Sequence, residues 1–252
     1  MERKPYHLEN LFNGNLQLFK EIVGNPNTII VYDADLTLIN LAKDVSDDFY
    51  IKHGIKVNLD DYDSWNYLTK VAKENNLSND DIEHAEDGWY SADLIKRAHR
   101  YLYIKPLVNK TISLYGQKNN YVLTARNPDL RKATEESFKR ELPLILFENI
   151  LMRKDGGIIS HEDTAIYKAG ELERLSKMAP WVVFVDDSIT FTRTALNSGI
   201  KNLLVVNVPF GKMQPDFCHD QLIVIDRYPS MEQGMYPLMD LFDRAIKGTL
   251  HP

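Results

Sequence analysis

Apolar runs alternate along this chain with segments in which apolar residues recur at helical spacing. The runs are rich in β-branched and aromatic residues and occupy positions 28–32, 121–125, 144–152, 181–188, 202–208 and 222–229. Runs of this kind, without polar alternation, are typical of strands buried on both faces of a parallel sheet. Because such strands alternate with helices, the pattern predicts an α/β fold with a doubly wound, Rossmann-like parallel sheet.

The helical segments have identifiable starts and stops. They are predicted at positions 8–23, 106–117, 127–142, 164–177, 189–199 and 235–247. The first stops at Gly24, and the third begins with Asn127 as N-cap and Pro128 in the first turn, which suits both residues. Between the third strand and the next helix, positions 153–163 are predicted to form a loop or a small hairpin.

A long region after the first strand lacks any convincing buried strand. Positions 41–103 contain segments that are mainly helical in pattern, punctuated by Gly54 and the polar stretch "NNLSND". A chain of 252 residues suits one domain with a substantial insertion. We therefore predict an α/β core formed by 1–40 and 104–252, and a helical cap formed by 41–103.

Composition and charge narrow the range of partners. The net charge of −6 disfavours nucleic acid, which proteins bind largely through Lys and Arg. Cys218 is the single cysteine, so neither an intramolecular disulfide nor a thiolate zinc cluster is expected. Neither the charged first twelve residues nor any later run has the apolar length of a signal peptide or a membrane span. We expect a cytoplasmic protein with no membrane partner.

Polar residues of a restricted kind stand at the ends of the predicted strands and on one helix. These residues are Asp33, Asp35, Thr37, Thr124, Lys168, Asp186 and Asp187. Carboxylates that converge at one sheet edge repel one another unless a cation lies between them, and oxygen ligands suit Mg²⁺. Thr124 precedes a predicted helix N-terminus, which favours an anion, and Lys168 adds a positive charge. The pattern predicts a site for Mg²⁺ and phosphate.

The order of these motifs resembles that of the haloacid dehalogenase superfamily of phosphotransferases. The resemblance is carried by "IIVYDADLT", "YVLTAR", "YKAGELERL" and "VVFVDDS". It covers about 27–40, breaks for the helical insert, and resumes near 105. The response-regulator receiver domain uses similar residues, but its acidic pair comes first, whereas Asp186 and Asp187 come last here. We therefore exclude the receiver domain.

The resemblance implies a role for each residue. Asp33 is implied as the nucleophile that forms an aspartyl-phosphate, and Asp35 as the acid and base. The phosphate is implied to contact Thr124, Ala125 and Lys168. The implied Mg²⁺ ligands are Asp33, the backbone carbonyl of Asp35, and the acidic pair, in which Asp187 is favoured as the direct ligand and Asp186 as the indirect one. Phosphatases of the family usually carry the second aspartate, whereas Leu36 stands where many relatives have glycine.

The position of the insert matches that of a helical cap in many relatives, which implies a small phosphorylated substrate. The insert contains Trp65, Tyr67, Trp89, Tyr90 and His99, which could line a substrate pocket. We expect most of them to lie in the cap core instead, since aromatic side chains dominate cores. The leading hypothesis is a magnesium-dependent phosphatase for a small phosphomonoester. A nucleotide or nucleic-acid-end phosphatase, and a catalytically idle binding protein with the same fold, remain alternatives.

Overall fold

The computed structural model describes residues 12–154, 156, 160–225 and 236–249. The strands are β1 Phe12–Gly14, β2 Thr28–Tyr32, β3 Asn120–Thr124, β4 Ile150–Met152, β5 Trp181–Asp186, β6 Leu203–Asn207 and β7 Leu222–Ile225. The helices are α1 Leu16–Val23, α2 Leu41–His53, α3 Tyr67–Glu74, α4 Asn79–Glu83, α5 Ala92–Arg97, α6 Ile104–Tyr115, α7 Arg131–Glu141, α8 His161–Ser176, α9 Ile189–Asn197 and α10 Tyr236–Ile246.

The strands form one seven-stranded sheet in the order β1-β7-β6-β5-β2-β3-β4. Every neighbouring pair is parallel except β1 and β7, which are antiparallel. Alternate residues of β2 face opposite sides of the sheet. Ile30 packs into a cluster that includes α1, α6 and α10, whereas Ile29 packs into a cluster that includes α8 and α9. The predicted doubly wound α/β sheet is confirmed.

The insert of residues 41–103 contains α2 to α5 and short 3-10 helices at Leu59–Asp61 and Asp87–Tyr90. Its apolar side chains belong to the same buried cluster as one face of the sheet. Tyr62 makes part of this connection, because its ring lies 5.3 Å from that of Phe210 and its carbonyl accepts a hydrogen bond from the Lys212 N–H (2.7 Å). The division of the chain into core and cap stays a prediction.

The start of the chain differs from the expected helix at 8–23. Residues 8–11 lie outside the described residues, and 12–14 form strand β1, which pairs with β7. Gly14 has a φ of 139°, which no helix accommodates, and the Asn15 side chain accepts a hydrogen bond from the Leu18 N–H (3.0 Å). This cap starts the helix at Leu16, so the predicted start was wrong.

Other boundaries are shorter or shifted. The strand expected at 144–152 is confined to β4, because the residues before it form turns and the Asn149 amide donates to the Gln117 carbonyl (2.9 Å). The helix expected from Thr164 begins at His161, because Ser160 accepts a hydrogen bond from the Asp163 N–H (3.0 Å). Parts of the loop at 153–163, the end of the strand at 222–229 and Met235 lie outside the described residues.

Within the described ranges, no helix has both the length and the apolar character needed to cross a bilayer.

Candidate active site

The sheet register brings the predicted strand-end residues together. In the pairing of β2 with β5, Tyr32 lies opposite Val185, and the Asp33 N–H donates to the Val185 carbonyl (2.8 Å). Asp33 and Asp186 therefore leave neighbouring strands at the same level. On the other side of β2, β3 ends at Thr124. The chain leaving β2 continues to α6 on one face of the sheet, whereas the chain leaving the neighbouring strand β5 continues to α9 on the other face. Doubly wound proteins bind ligands at such a point.

Lys168, on α8, joins the two acidic strand ends. Its Nζ donates hydrogen bonds to Asp33 Oδ1 (2.5 Å) and to Asp186 Oδ2 (2.8 Å). The lysine is only 1% exposed, and its Nζ also lies 4.1 Å from the centre of the Phe191 ring. A buried cation of this kind requires close anionic partners, since an unpaired buried charge is costly. Asp33 and Asp186 are the anionic partners that allow Lys168 to be buried as a cation.

Burial and charge pull the ionisation of this cluster in opposite directions. Burial raises the pKa of Asp33 to about 7, although Lys168 opposes the rise. Burial likewise raises the pKa of Asp186 against the effect of Lys168. For Lys168, burial favours the neutral amine, but Asp186 and Asp33 outweigh it and raise its pKa. The lysine is therefore protonated at neutral pH.

The adjacent acids Asp186 and Asp187 differ in their contacts. Both carboxylate oxygens of Asp186 are engaged, because Oδ1 accepts from the Ser188 N–H (2.7 Å) and Oδ2 accepts from Lys168. Asp187 Oδ1 accepts a hydrogen bond from the Thr37 hydroxyl (3.4 Å). Asp186 is thus fixed by backbone and lysine, whereas Asp187 faces the threonine of the first motif.

Asp35 is held by a residue that the sequence analysis did not identify. Arg126 donates from Nε to Asp35 Oδ2 (2.9 Å) and from Nη2 to Oδ1 (2.6 Å), and from Nη1 to the Thr134 hydroxyl (3.1 Å). Arg126 is 5% exposed, so this pair is largely shielded from water. The available signal was its position in "TAR", directly after Thr124 and Ala125.

Thr124 is buried at the end of β3, and its hydroxyl oxygen accepts from the Arg126 N–H (3.3 Å). The carbonyl of the next residue, Ala125, accepts from Arg153 Nε (3.0 Å). The helical segment starts at Pro128, as predicted, but its first turn is a 3-10 helix and α7 begins only at Arg131. Asn127 does cap that turn, accepting from the Asp129 N–H (3.1 Å).

A cavity of about 440 Å³ opens in front of Asp33 and Asp35. Its walls are formed by residues of the insert and by residues at the ends of the sheet strands and on the helices beside them. Its lining consists of Asp33, Asp35, Trp65, Asn66, Glu86, Trp89, Tyr90, Ala125, Arg126, Leu130, Arg153, His161, Thr164 and Phe191. The insert therefore contributes side chains to the same cavity as the catalytic candidates.

The five aromatic residues singled out in the insert separate into two groups. Trp65, Trp89 and Tyr90 line the cavity. Tyr67 instead packs on Tyr62, with ring centres 4.7 Å apart, and His99 contacts Glu141 (2.9 Å). Three of the five residues therefore line the cavity, the alternative to the expected cap-core position.

Ring contacts continue from the insert to α8 and α9. Trp65 lies 5.6 Å from Trp89 and 5.7 Å from His161, measured between ring centres. His161 stacks on Phe191 at 4.5 Å. Burial lowers the pKa of His161, so its imidazole is neutral at pH 7.

The donor set at the strand ends suits a hard cation. Asp33 and Asp187 supply carboxylate oxygens at the ends of the adjacent strands β2 and β5. Within the described residues, no three acidic, histidine or cysteine side chains form a ready-made metal cluster. Mg²⁺ does not require one, because it is usually held by one or two carboxylates together with water and phosphate. The residues present therefore fit Mg²⁺.

Leu36 lies between the two halves of the first motif in an uncommon conformation. Its φ is 64°, in the left-handed region, and it is 1% exposed. A bulky residue there carries backbone strain. Many relatives have glycine at the position of Leu36, and glycine would adopt this φ without strain.

No family model and no curated protein sequence matches this chain. Solved structures do match its fold. A proposed phosphoglycolate phosphatase from Lactobacillus delbrueckii subsp. bulgaricus is 15% identical, with a TM-score of 0.51, over 83% of this chain and 98% of the other. A proposed haloacid dehalogenase-like hydrolase from Burkholderia xenovorans is 12% identical, with a TM-score of 0.50, over 87% and 98%. This chain has the fold of the haloacid dehalogenase-like hydrolases.

Proposed function

We propose that this chain is a magnesium-dependent phosphatase of the haloacid dehalogenase superfamily, which hydrolyses a small phosphomonoester through an aspartyl-phosphate intermediate. One observation carries the proposal. Asp33, paired with the buried Lys168, and Asp35, paired with the buried Arg126, open onto the same cavity. The two carboxylates thus have different environments at one site, as different chemical roles require.

The first half-reaction transfers the phosphoryl group to the protein. Asp33 attacks phosphorus, a bond forms between the carboxylate oxygen and phosphorus, and the bond to the ester oxygen breaks. Asp35 donates its proton to the leaving alcohol. In the second half-reaction Asp35 removes a proton from water, which attacks phosphorus and regenerates Asp33 with release of inorganic phosphate. Covalent catalysis of this kind divides one difficult hydrolysis into two easier steps.

The phosphoryl oxygens are held by Thr124, Ala125 and Lys168. The lysine supplies positive charge, Thr124 a hydroxyl donor and Ala125 a backbone N–H. Such groups stabilise charge that spreads over the oxygens in the transition state. The contact of Arg153 with the Ala125 carbonyl supports this assignment, because it orients the backbone at the end of β3.

The metal ligands in this proposal are Asp33, the backbone carbonyl of Asp35, and Asp187. Asp186 acts indirectly, because its two oxygens are engaged by Lys168 and by the Ser188 N–H. When bound, Mg²⁺ neutralises negative charge on the phosphoryl oxygens and orients them for attack.

The insert of residues 41–103 acts as a cap in this proposal. Its Trp65, Trp89 and Tyr90 line the same cavity as the two carboxylates, which supports the role. A cap restricts access and excludes water, so it favours small substrates over polymers. A nucleic-acid substrate is not expected, and a cytoplasmic location stays a prediction.

The test is release of inorganic phosphate by the full-length chain from a panel of phosphorylated metabolites. We expect activity with Mg²⁺, none with excess chelator, and little with Ca²⁺, which is larger and prefers more ligands. Asp33→Asn should reduce turnover to background, whereas Asp47→Asn, an exposed aspartate on α2, should not. No phosphate release from any ester, or full activity of Asp33→Asn, would contradict the proposal. Binding without turnover would favour an idle binding protein.

A further inference from the structure

The cavity is strongly aromatic on the side formed by the insert. Trp65, Trp89 and Tyr90 line it there. Tyr90 is 55% exposed. Trp65 and Trp89 pack against the buried cluster but are only half-buried, so part of each ring remains accessible at the cavity. A cluster of partly exposed aromatic rings within a concave site provides faces on which another flat ring can stack.

The acidic side chain on this side of the cavity is already committed to protein contacts. Glu86 Oε1 accepts from the Thr69 N–H (2.9 Å) and hydroxyl (3.2 Å), and Oε2 accepts from Trp89 Nε1 (2.9 Å). Burial raises the pKa of Glu86, although these hydrogen bonds oppose the rise. Glu86 therefore fixes the indole of Trp89, and both of its oxygens are engaged.

Few polar groups remain on this side to recognise a sugar chain. Of the described insert residues that line the cavity, Asn66 is the other one with a polar aliphatic side chain, and it is exposed. A polyol phosphate offers several hydroxyl groups, each of which loses hydrogen bonds to water unless the site replaces them. The aromatic rings of the insert and the single amide of Asn66 suit a planar ring with one or two polar edges better than they suit a polyol.

We propose, on the basis of the phosphatase function above, that the substrate is a phosphomonoester whose alcohol part carries a planar aromatic ring, as in a nucleoside monophosphate. The phosphate lies at Asp33, and the ring stacks on the insert aromatics at the other side of the cavity. His161 and Phe191 extend this aromatic lining on the core side. The volume of about 440 Å³ is in the range of small-molecule sites.

Adenosine 5′-monophosphate and ribose 5-phosphate form a matched pair for the test, because they share ribose and phosphate and differ in the base. We expect kcat/KM of the full-length chain with Mg²⁺ to be higher for the nucleotide by roughly 10- to 100-fold, as stacking of one base on an aromatic side chain provides. Equal values, or a preference for ribose 5-phosphate and other polyol phosphates, would overturn the inference and leave the phosphatase function intact.

Two exposed tyrosines of the insert provide matched variants. Tyr90 lines the cavity, whereas Tyr50, on α2, is not among the lining residues, and the two are 55% and 53% exposed. Tyr90→Leu should lower kcat/KM for the nucleotide by several-fold more than that for ribose 5-phosphate, while Tyr50→Leu should leave their ratio as in the wild type. An unchanged ratio in both Tyr90→Leu and Trp89→Leu, with unfolding midpoints confirming that each is folded, would contradict the stacking role.

Failure of the phosphatase function can be told apart from failure of this inference. If no ester is hydrolysed, the proposed function is wrong, and titration calorimetry of the same two compounds decides the inference. Tighter binding of the nucleotide than of ribose 5-phosphate would support an aromatic ligand site. Equal affinity, or binding of neither compound, would overturn it.

Discussion

Arg126 holds the carboxylate of Asp35 with two hydrogen bonds, of 2.9 Å from Nε and 2.6 Å from Nη2. A paired guanidinium and carboxylate fixes both the position and the plane of the acid. In the proposed reaction Asp35 must address the leaving oxygen. Both of its oxygens accept from Arg126 here, so one of these hydrogen bonds must be released before that oxygen carries the proton, while the other keeps the carboxyl in place. Arg126 is therefore a positioning residue for Asp35.

Arg126→Lys tests this role, because it keeps the charge and loses the planar fork. We expect kcat to fall by about 10- to 100-fold with a smaller change in KM, since misplacement of a catalytic group affects the chemical step more than binding. Arg131→Lys, at an exposed arginine on α7, serves as the control. Steady-state kinetics on one ester provide the readout. Wild-type kcat in Arg126→Lys would show that the fork is not needed.

Asp35→Asn tests the acid and base role. The variant should lower the rate on an alkyl phosphate by about 10²- to 10⁴-fold, as loss of general acid–base catalysis does. The defect should shrink on an aryl phosphate, because that leaving group needs little protonation. The ratio of the two defects is the measured quantity. Equal defects on the two esters would mean that the proton-transfer role is assigned wrongly.

The contact between the insert and the core predicts a difference between two glycine substitutions. Gly211 has a φ of 56°, and a Cβ there would meet the carbonyl oxygen of Tyr62. Gly54 has a similar φ of 70° but open space around the Cβ position. Gly54→Ala should cost about 1 kcal/mol of unfolding free energy, the strain of a left-handed residue. Gly211→Ala should cost about 1–3 kcal/mol more, because overpacking is added. Urea unfolding of both variants measures this, and equal losses would contradict the tight contact.

Glu141 predicts a dependence of stability on pH. This residue is 3% exposed; burial opposes its ionisation, but hydrogen bonds from Arg140, His99 and Arg100 prevail and lower its pKa to about 2. Its ordinary pKa is 4.5, so its ionised form stabilises the folded state above that pH. This contribution is lost as the pH falls from about 5 toward 2.

Glu141→Gln should remove much of this acid sensitivity. Unfolding free energies measured in urea between pH 7 and pH 3 should converge for wild type and variant as the pH falls. Glu135→Gln, on the same helix α7 and paired with Arg131 at the surface, is the control and should follow the wild type. If the wild type and Glu141→Gln lose stability in parallel as the pH falls, Glu141 is not the source of the acid sensitivity.

The pattern of apolar residues along the chain was enough to predict that the acidic residues at the strand ends lie together. The apolar runs at 28–32 and 181–186 specify neighbouring buried strands, and parallel pairing then places Asp33 beside Asp186. The sequence indicated Lys168 as a positive charge on a helix near the site, but its contacts with both acids needed the structure. Strand β1 was missed because three residues at a sheet edge carry no usable periodicity.

The residues that sequence reasoning missed depend on contacts between distant segments. Arg126 and Asp35 are 91 positions apart, and an arginine in a loop is most often exposed. The aromatic residues of the insert posed a similar problem. A tryptophan in a helical region fits a core as well as a cavity, and only packing against Glu86 and His161 places Trp89 and Trp65 at the cavity. These roles therefore required coordinates.

The central claim is that Asp33 carries the phosphoryl group during turnover, and chemical trapping tests it most directly. Borohydride reduces an acyl phosphate to an alcohol, so quenching the wild-type chain with borohydride during turnover should convert Asp33 to homoserine. Peptide mass spectrometry should find this change at position 33 only when both an ester substrate and Mg²⁺ are present, and never in Asp33→Asn. Steady release of phosphate with Asp33 unmodified, or with the modification at another aspartate, would contradict the account.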